Sequence, residues 1–409
     1  MADMVFSGIT FSGGYNITLP PPSAPDAPTI GTATATGSTT ATVAFTAPSY
    51  GGSSTITSYT ATSSPSGITG TLSQAGSGTI NMTGLTASTS YTFTVTATNA
   101  IGTSSPSASS NSITTSAPPV PSYKAIFGYG TNYVGTYYSL TNLVSNTGVV
   151  ATDTTGVGTA RYALAAAGYG TDKAIFGYGA AATDITSVTN LVSNTGVVAT
   201  DTTGVGTARY VLAAAGYGTD KAIFGYGLGG GAQSMTNLVS NTGVVATDTT
   251  GVGTPRGYLA AAGYGTDKAI FGYGNYGGAV SMTNLVSNTG VVATDTTGVG
   301  TARTMLAAAS YGTDKAIFGY GNLFGGVSMT NKVSNTGVVA TDTTGVGTGR
   351  YQLAAAGYGS SGQAIFGYGN NGSAEVSMTN LVSNTGVVAS DTTGVGTART
   401  QLAASTVYG

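Results

Sequence analysis

The alternation of apolar and polar residues predicts strands along most of the chain. In TATVAFTAP (40–48) and YTFTVTATN (91–99), apolar and polar residues change places at every step, as in a strand with one buried face. After residue 123 a second pattern begins, in which KAIFGYG or QAIFGYG returns every 47 to 49 residues without helical spacing of apolar positions. The copies start at Lys124, Lys173, Lys221, Lys268, Lys315 and Gln363. The chain is therefore predicted to be all-β.

Two proline clusters suggest where the parts of the chain begin and end. LPPP (19–22) and APPVPS (117–122) favour extended, semi-rigid backbone, and they enclose enough residues for one small domain. We therefore predict an N-terminal segment over 1–23, a β-sandwich over 24–116, a proline-rich linker over 117–123 and a repeat domain over 124–409.

The stretch LTASTSYTFTVTATNAIG (85–102) resembles the closing half of a fibronectin type III domain. A leucine precedes a turn, a tyrosine stands where the family has its tyrosine corner, and alternating residues end at a glycine. The matching residues are Leu85, Tyr91, Val95, Ala97, Asn99 and Gly102. The family's early-strand tryptophan is missing, and we expect Phe45 to take its place. The resemblance implies a seven-stranded sandwich, a module that usually serves as a spacer.

Each repeat reads as four strands: RYALAAAGYG, KAIFGYG, SMTNLVSN and GVVATDT. This order resembles the kelch repeat, in which an arginine opens a strand of small apolar residues and an aromatic-containing strand ends in glycines. The chain departs from kelch in having Gly-Tyr-Gly for the double glycine, Thr-Asn for Tyr-Asp, and no tryptophan. The resemblance implies a six-bladed β-propeller. Its ring would be closed by the C-terminal strand (399–409), which completes the blade that begins at Lys124.

One aspartate and one arginine recur in every repeat, with the arginine eight residues after the aspartate. We predict structural ion pairs that join the end of the fourth strand to the start of the next first strand. The residues are Asp153, Arg161, Asp201, Arg209, Asp248, Arg256, Asp295, Arg303, Asp342, Arg350, Asp391 and Arg399. Two other interpretations stay open, an anion site built from the arginines and a calcium site at the DTTG turn. One carboxylate per turn is few for calcium, so no metal is expected.

Variation between the repeats concentrates in two segments, the loop between the second and third strands and the residues just after the arginine. In an up-and-down blade both segments point to one face, and a constant scaffold with varied loops is how repeat proteins build binding surfaces. The candidate binding residues are Tyr133, Tyr137, Tyr138, Asp184, Gln233, Tyr276, Phe324, Asn371 and Glu375. Unselected drift of these loops is the alternative.

Composition excludes several classes of function. The chain has 41% hydrophobic and 6% charged residues and a net charge of −2, so it carries no basic field for nucleic acid. It has no cysteine and no histidine, which removes thiolate metal sites and the commonest general base. Of the carboxylates outside the repeated positions, Asp184 and Glu375 lie in loops of different repeats. We therefore predict neither an enzyme nor a bound cofactor.

The N-terminus lacks the charged and apolar regions of a secretory signal, and no apolar run is long enough to span a membrane. A fibronectin-like module with near-identical glycine- and threonine-rich repeats resembles surface and fibre proteins of tailed phages, including marine phages. The resemblance implies a virion protein made in the host cytoplasm, present in several copies, docked to other virion proteins through 1–23, with its repeats exposed to host glycan or protein. A capsid decoration protein without receptor role and an interaction scaffold are the alternatives.

Overall fold

The protein was analysed as a computed structural model, which describes residues 20–116, 123–132 and 134–408. The chain divides into two compact units, Met1–Val120 and Pro121–Gly409. All regular structure in the described residues is β, as predicted. Most of the predicted attachment segment (1–19) and of the linker (117–122) lies outside the described residues. Tyr123, assigned to the linker from the sequence, is instead the first residue of a strand.

The first unit consists of two antiparallel sheets. Its strands are β1 (Thr29–Ala35), β2 (Ala41–Thr46), β3 (Ile56–Ser64), β4 (Thr69–Leu72), β5 (Gly78–Met82), β6 (Ser90–Asn99) and β7 (Ile113–Thr114). One sheet has the order β1-β2-β5 and the other the order β4-β3-β6-β7. The alternation read from the sequence is present in β2 and β6, where every second side chain is buried.

The core of this unit contains the residues that carried the fibronectin resemblance. Phe45 is buried, and its ring centroid lies 4.3 Å from that of Tyr59, which agrees with its expected role in place of the missing tryptophan. The hydroxyl of Tyr91 accepts a hydrogen bond from the backbone N–H of Thr86 at 2.9 Å. The tyrosine corner is therefore formed as expected.

The seventh strand is shorter than the sandwich pattern suggests, because a serine-rich segment does part of its pairing. Ser104, Ser107 and Ser110 each donate their N–H to a carbonyl of β6. Each serine hydroxyl also accepts the N–H of the same β6 residue, at 2.9 to 3.0 Å. A contact at every third residue suits an extended backbone with three residues per turn. Side chains thus replace backbone acceptors along this edge.

The second unit consists of six three-stranded antiparallel sheets, one for each repeat. Its strands are β8 (Tyr123–Thr131), β9 (Tyr137–Val144), β10 (Ala165–Tyr169), β11 (Lys173–Gly177), β12 (Thr189–Val192), β13 (Ala213–Tyr217), β14 (Lys221–Gly225), β15 (Thr236–Val239), β16 (Ala260–Tyr264), β17 (Lys268–Gly272), β18 (Thr283–Val286), β19 (Ala307–Tyr311), β20 (Lys315–Gly319), β21 (Thr330–Val333), β22 (Ala354–Tyr358), β23 (Gln363–Gly367), β24 (Thr379–Val382) and β25 (Ala403–Tyr408).

The last strand of the chain pairs with the first strand of this unit. β25 is antiparallel to β8, with Ala404 opposite Phe127, so one sheet has the order β25-β8-β9. The alanine-rich strands also contact each other in sequence, from β10 through β13, β16, β19 and β22 to β25, and β25 contacts β10. The six sheets therefore follow one another in a closed cycle.

The predicted fourth strand of each repeat is wrong, because the structure has only two isolated bridges there. In the first repeat, Val144 pairs with Val150 and Thr141 with Thr154. Between the bridges the side-chain nitrogen of Asn142 donates to the carbonyl of Ala151 at 3.0 Å. The bridged segment has one residue more than its partner, as at a bulge, so a regular ladder cannot form.

The Ile-Phe pair of each second strand packs in opposite directions, as expected from the period of a strand. Ile126 is buried against the following sheet, in a cluster with Phe176, whereas Phe127 is buried against the preceding sheet, with Ile365. A glycine makes room for each phenylalanine ring. A Cβ on Gly128 would lie 2.7 Å from Cζ of Phe176, and the same close approach recurs at all six contacts between sheets.

Candidate binding face of the repeat unit

A fully buried arginine stands before the first strand of every sheet. Nε of Arg161 donates to the carbonyl of Tyr178 at 2.9 Å, and a terminal guanidinium nitrogen donates to the carbonyl of Thr159 at 3.1 Å. The other terminal nitrogen donates to Oδ1 of Asn190. The guanidinium carbon lies 4.5 Å from the ring centroid of Tyr129, in the preceding sheet. The arginine thus binds its own sheet and stacks on its neighbour.

Each of these ring contacts has an equivalent at the other five junctions between sheets. Arg399, in the sheet that contains both chain ends of the unit, stacks on Tyr368 of the sixth repeat at 4.6 Å. Tyr368 in turn has its ring centroid 5.1 Å from that of Phe127. Every such tyrosine therefore lies between an arginine and a phenylalanine of the next sheet.

The arginines do form ion pairs, but the predicted partners were wrong. Asp153 lies eight residues before Arg161, yet it belongs to the preceding sheet, because the chain crosses between sheets in the intervening loop. Each arginine instead faces the aspartate of the sheet that it opens. The ion pairs are Arg161–Asp201 (3.7 Å), Arg209–Asp248 (3.6 Å), Arg256–Asp295 (3.9 Å), Arg303–Asp342 (3.8 Å) and Arg399–Asp153 (3.7 Å). In the remaining sheet, burial by itself raises the pKa of Asp391, but hydrogen bonds from Thr348 and Asn380 and the charge of Arg350 outweigh burial and lower the pKa.

The aspartates are occupied by the loop that precedes each arginine. Asp201 accepts hydrogen bonds from the N–H and the hydroxyl of Thr159, at 3.0 and 2.6 Å, and from Asn190 at 2.9 Å. Burial by itself raises the pKa of Asp201, but these hydrogen bonds and the charge of Arg161 outweigh it and lower the pKa below its ordinary value. Since the arginines are also buried, no open site for an anion is formed by these charges.

The two variable segments of each repeat lie side by side. Tyr162, just after an arginine, forms a β-bridge with Ala180, in the loop between the second and third strands. The equivalent bridges are Tyr210–Leu228, Gly257–Asn275, Thr304–Asn322, Tyr351–Asn370 and Thr131–Thr400. We call the surface formed by these two segments in all six repeats the variable face.

The predicted binding residues differ in how much of each side chain reaches solvent. Phe324 is completely exposed at the tip of its loop, and Tyr276 is 58% exposed. Asp184 is exposed as well, and Tyr133 lies outside the described residues. The half-buried members are Tyr137, Tyr138, Gln233, Asn371 and Glu375. The described candidates are distributed over all six sheets, with Tyr137 and Tyr138 at the start of β9 and the others in loops.

Three of the polar candidates form hydrogen bonds within their own loops. Asp184 accepts the N–H of Ile185 at 2.8 Å, and Gln233 donates to the carbonyl of Gly229 at 3.1 Å. Asn371 accepts two backbone N–H groups at 2.9 Å. These side chains shape the loops, and the aromatic candidates contribute more of the exposed apolar surface.

A ring of backbone hydrogen bonds at the centre of the variable face was not predicted. Its members are Ala163, Val211, Tyr258, Met305, Gln352 and Gln401, and we call it the axial ring. Each member donates its N–H to the carbonyl of the member before it, at 2.8 to 2.9 Å, and Ala163 closes the ring by donating to Gln401. All six have positive φ, between 47° and 58°. Its sequence signal is the variable position two residues after each arginine.

The axial ring surrounds a small depression of about 70 Å³, lined by its six side chains and by the leucine that follows each of them. None of these lining residues is charged. Tyrosines extend the wall outward. The rings of Tyr137 and Tyr162 stack with centroids 5.2 Å apart, and burial together with the nearby Tyr137 and Tyr210 raises the pKa of Tyr162.

Within the described parts of the chain, no three acidic, histidine or cysteine residues gather into a metal-binding group. The same residues contain no helix that is long and apolar enough to cross a membrane.

Among curated proteins no relative of the chain was found. A crystal structure of domains A168–A170 of titin aligns with 26% identity over 23% of this chain, at a TM-score of 0.21. The aligned part spans 33% of that titin chain. Residues 26–113 match the model of the fibronectin type III domain, and this is the family to which the first unit is similar.

Proposed function

We propose that the repeat unit is a six-bladed β-propeller of kelch-like strand order and that the chain is a non-enzymatic protein that displays this propeller for binding. Two features support the propeller. The alanine-rich strands contact each other in a closed cycle, and β25 pairs with β8. A ring closed between the two ends of the unit leaves no open edge between its first and last sheets.

The observation that carries the binding function is the separation of constant from variable residues. The buried layer of each sheet repeats almost without change, whereas the loops paired by the β-bridges at Tyr162 and its equivalents differ in every repeat. Packing against identical neighbours explains the constant layer. A surface that varies on one side only is the arrangement by which repeat scaffolds bind a partner.

A catalytic role has less support. Six of the repeated aspartates serve the arginines and threonines of their own sheets, and four others each pair with the lysine that follows them. The two remaining described carboxylates of this unit, Asp184 and Glu375, belong to different sheets. Hydrolysis of a glycan needs two carboxyl groups a few ångströms apart at one point.

For the setting of this function, we favour a virion of a tailed phage. The resemblance of fibronectin-like modules and glycine-rich repeats to phage surface proteins supports this setting. In it, residues 1–23 dock to the particle, the first unit is a spacer, and the variable face binds host glycan or protein. A decoration protein without a receptor role is the alternative within the same setting, and an interaction scaffold is the alternative outside it.

The test is antibody labelling of purified particles, followed by electron microscopy, with an antibody raised against residues 124–409. We expect label at the tips of tails or fibres. Label over the whole head would favour the decoration protein. Particles without any label, alongside a positive control antibody against a known coat protein, would contradict the virion setting and favour the scaffold.

A further inference from the structure

The axial ring keeps side chains at positions where the backbone favours glycine. A positive φ costs little for glycine but strains other residues, and valine most of all because it is β-branched. Outside the axial ring most positions with positive φ are glycines, and the repeated exceptions are constant residues such as Tyr178 and Thr171. Val211 and the five other members of the axial ring carry side chains at positive φ that differ between repeats. The hydrogen bonds of the ring join backbone atoms only, so they do not require those side chains.

The identity of these side chains also varies where everything around them is constant. An arginine precedes each ring member by two residues and a leucine follows it directly, in all six repeats. At the ring position itself there are five different residue types. A purely structural position would be expected to repeat like its neighbours, so the variation indicates that the side chains face something other than the scaffold.

The residues around the depression form two chemically different halves. In one half Tyr258 lines the depression beside Ala163 and Val211, and Tyr162 and Tyr210 are near Tyr258. Burial, with the neighbouring Tyr210 and Tyr162, raises the pKa of Tyr258, so its hydroxyl is neutral and able to donate a hydrogen bond at physiological pH. Gln352 and Gln401 come from the two consecutive sheets on the other side.

In the half formed by Gln352 and Gln401, a neighbouring side chain fixes one of the two amides. The hydroxyl of Thr400 donates to Oε1 of Gln352 at 3.0 Å, which holds the amide in place across the junction of two sheets. Amide side chains both donate and accept hydrogen bonds. Tyrosine rings offer an apolar face with a polar tip. One wall thus suits the apolar face of a ring-shaped ligand, and the other suits its hydroxyl groups.

From this geometry we infer that the depression at the axial ring is a binding site for a neutral sugar at the end of a glycan. The inference rests on the proposed function, since it names the ligand of the same variable face. The lining residues lack charge, which favours a neutral sugar over an anionic one. A depression of about 70 Å³ holds part of one sugar ring, and the rest would lie against the outer tyrosines.

The experiment measures binding of the full chain to an array of oligosaccharides that end in neutral sugars (glucose, galactose, mannose, N-acetylglucosamine) or in anionic ones (sialic acid, glucuronic acid). Titration calorimetry then gives the Kd of each hit for the variants Tyr258→Ala and Gln352→Ala. Alanine already occupies the same backbone position at Ala163, so the fold should tolerate both changes. Val291→Ala and Val387→Ala are the matched controls, since each removes an exposed apolar side chain from the sheet of Tyr258 or of Gln352 but outside the two variable segments. Tyr276→Ala and Phe324→Ala remove exposed aromatic side chains from the loops of the variable face and test the outer part of that face separately.

We expect binding to neutral sugars, a Kd raised about tenfold or more by each axial variant, and changes below about twofold in the controls. If Tyr276→Ala and Phe324→Ala lose binding and the axial variants keep it, the axial site is wrong although the variable face still binds. If the chain binds whole host cells but no neutral sugar, the sugar site is wrong and the proposed function stands. If it binds neither cells nor glycans, both are wrong.

Discussion

Arg256 offers a test of how neighbouring sheets are held together. Its side chain is fully buried, with Nε donating to the carbonyl of Tyr273 at 2.9 Å and a terminal nitrogen donating to Asn284 at 2.7 Å. The guanidinium carbon lies 4.4 Å from the ring centroid of Tyr226, in the preceding sheet. Arg256→Ala removes all of these contacts and leaves buried acceptors without a donor.

The size of the effect follows from burial. Removing one partner from a buried, hydrogen-bonded ionic group costs about 3–5 kcal/mol. The stacking on Tyr226 contributes up to about 2 kcal/mol, but it involves the same side chain, so the two figures are not added. The ion pair with Asp295 contributes less, because it is 3.9 Å long and the aspartate is 31% exposed. We expect Arg256→Ala to lower the free energy of unfolding by about 3–5 kcal/mol.

The assay is urea unfolding of the full chain, followed by hydrogen exchange and mass spectrometry, in which peptides of the first unit serve as an internal reference. Lys268→Ala is the control. Lys268 also pairs with an aspartate, Asp267 at 2.7 Å, but it is 42% exposed, so its loss should change the free energy of unfolding far less than the loss of Arg256. Arg256→Lys keeps the charge without the planar fork and should recover only a small part of the loss. Equal effects of Arg256→Ala and Lys268→Ala would refute the reasoning.

Three further predictions concern packing, pH and ring closure. Gly225→Ala would put a Cβ 2.7 Å from Cζ of Phe271, so we expect the free energy of unfolding, measured by urea denaturation, to fall by about 1–3 kcal/mol. Gly278→Ala is the control, because a Cβ there would have no atom within 4 Å and should leave the free energy of unfolding nearly unchanged. Equal effects of the two variants would contradict the close approach. Burial raises the pKa of Tyr226, and of four equivalent tyrosines, to about 12. The folded state then keeps protons that the unfolded chain loses near pH 10. The free energy of unfolding is therefore highest below about pH 10 and falls toward pH 12 by about 2–3 kcal/mol per tyrosine. A urea midpoint that stays constant over this pH range would be inconsistent with burial of the tyrosines. Deletion of residues 399–409 removes β25, and the repeat unit should lose its cooperative thermal transition while the first unit keeps its own; an unchanged transition would show that the pairing of β25 with β8 is dispensable.

Much of the local structure could be predicted because it depends on neighbours in sequence. The alternation in β2 and β6 and the opposite directions of Ile126 and Phe127 follow from a period of two residues. The tyrosine corner at Tyr91 follows from the short motif that resembles the fibronectin type III domain. The repetition also predicted that the last strand would pair with the first repeat, since one incomplete unit stood at each end. These features are visible in the sequence because the residues that form them are close together or identical between repeats.

Other features depended on which segments of the chain meet. Arg161 pairs with Asp201 and not with Asp153, because the chain passes from one sheet to the next in between, and spacing along the sequence does not reveal that crossing. The predicted fourth strand does not form, because the side chain of Asn142 donates to the carbonyl of Ala151, which a regular strand would have paired with a backbone N–H.

The sequence by itself determined the all-β class, the six units and the position of the variable loops, because these follow from composition, period and comparison between copies. The tertiary structure alone decided the axial ring. Its successive members are separated by 47 to 49 residues along the chain, and the pair that closes the ring, Ala163 and Gln401, by far more. They come into contact only when all the sheets have assembled. A contact of that kind leaves no local pattern, because its energy comes from segments that are distant in sequence.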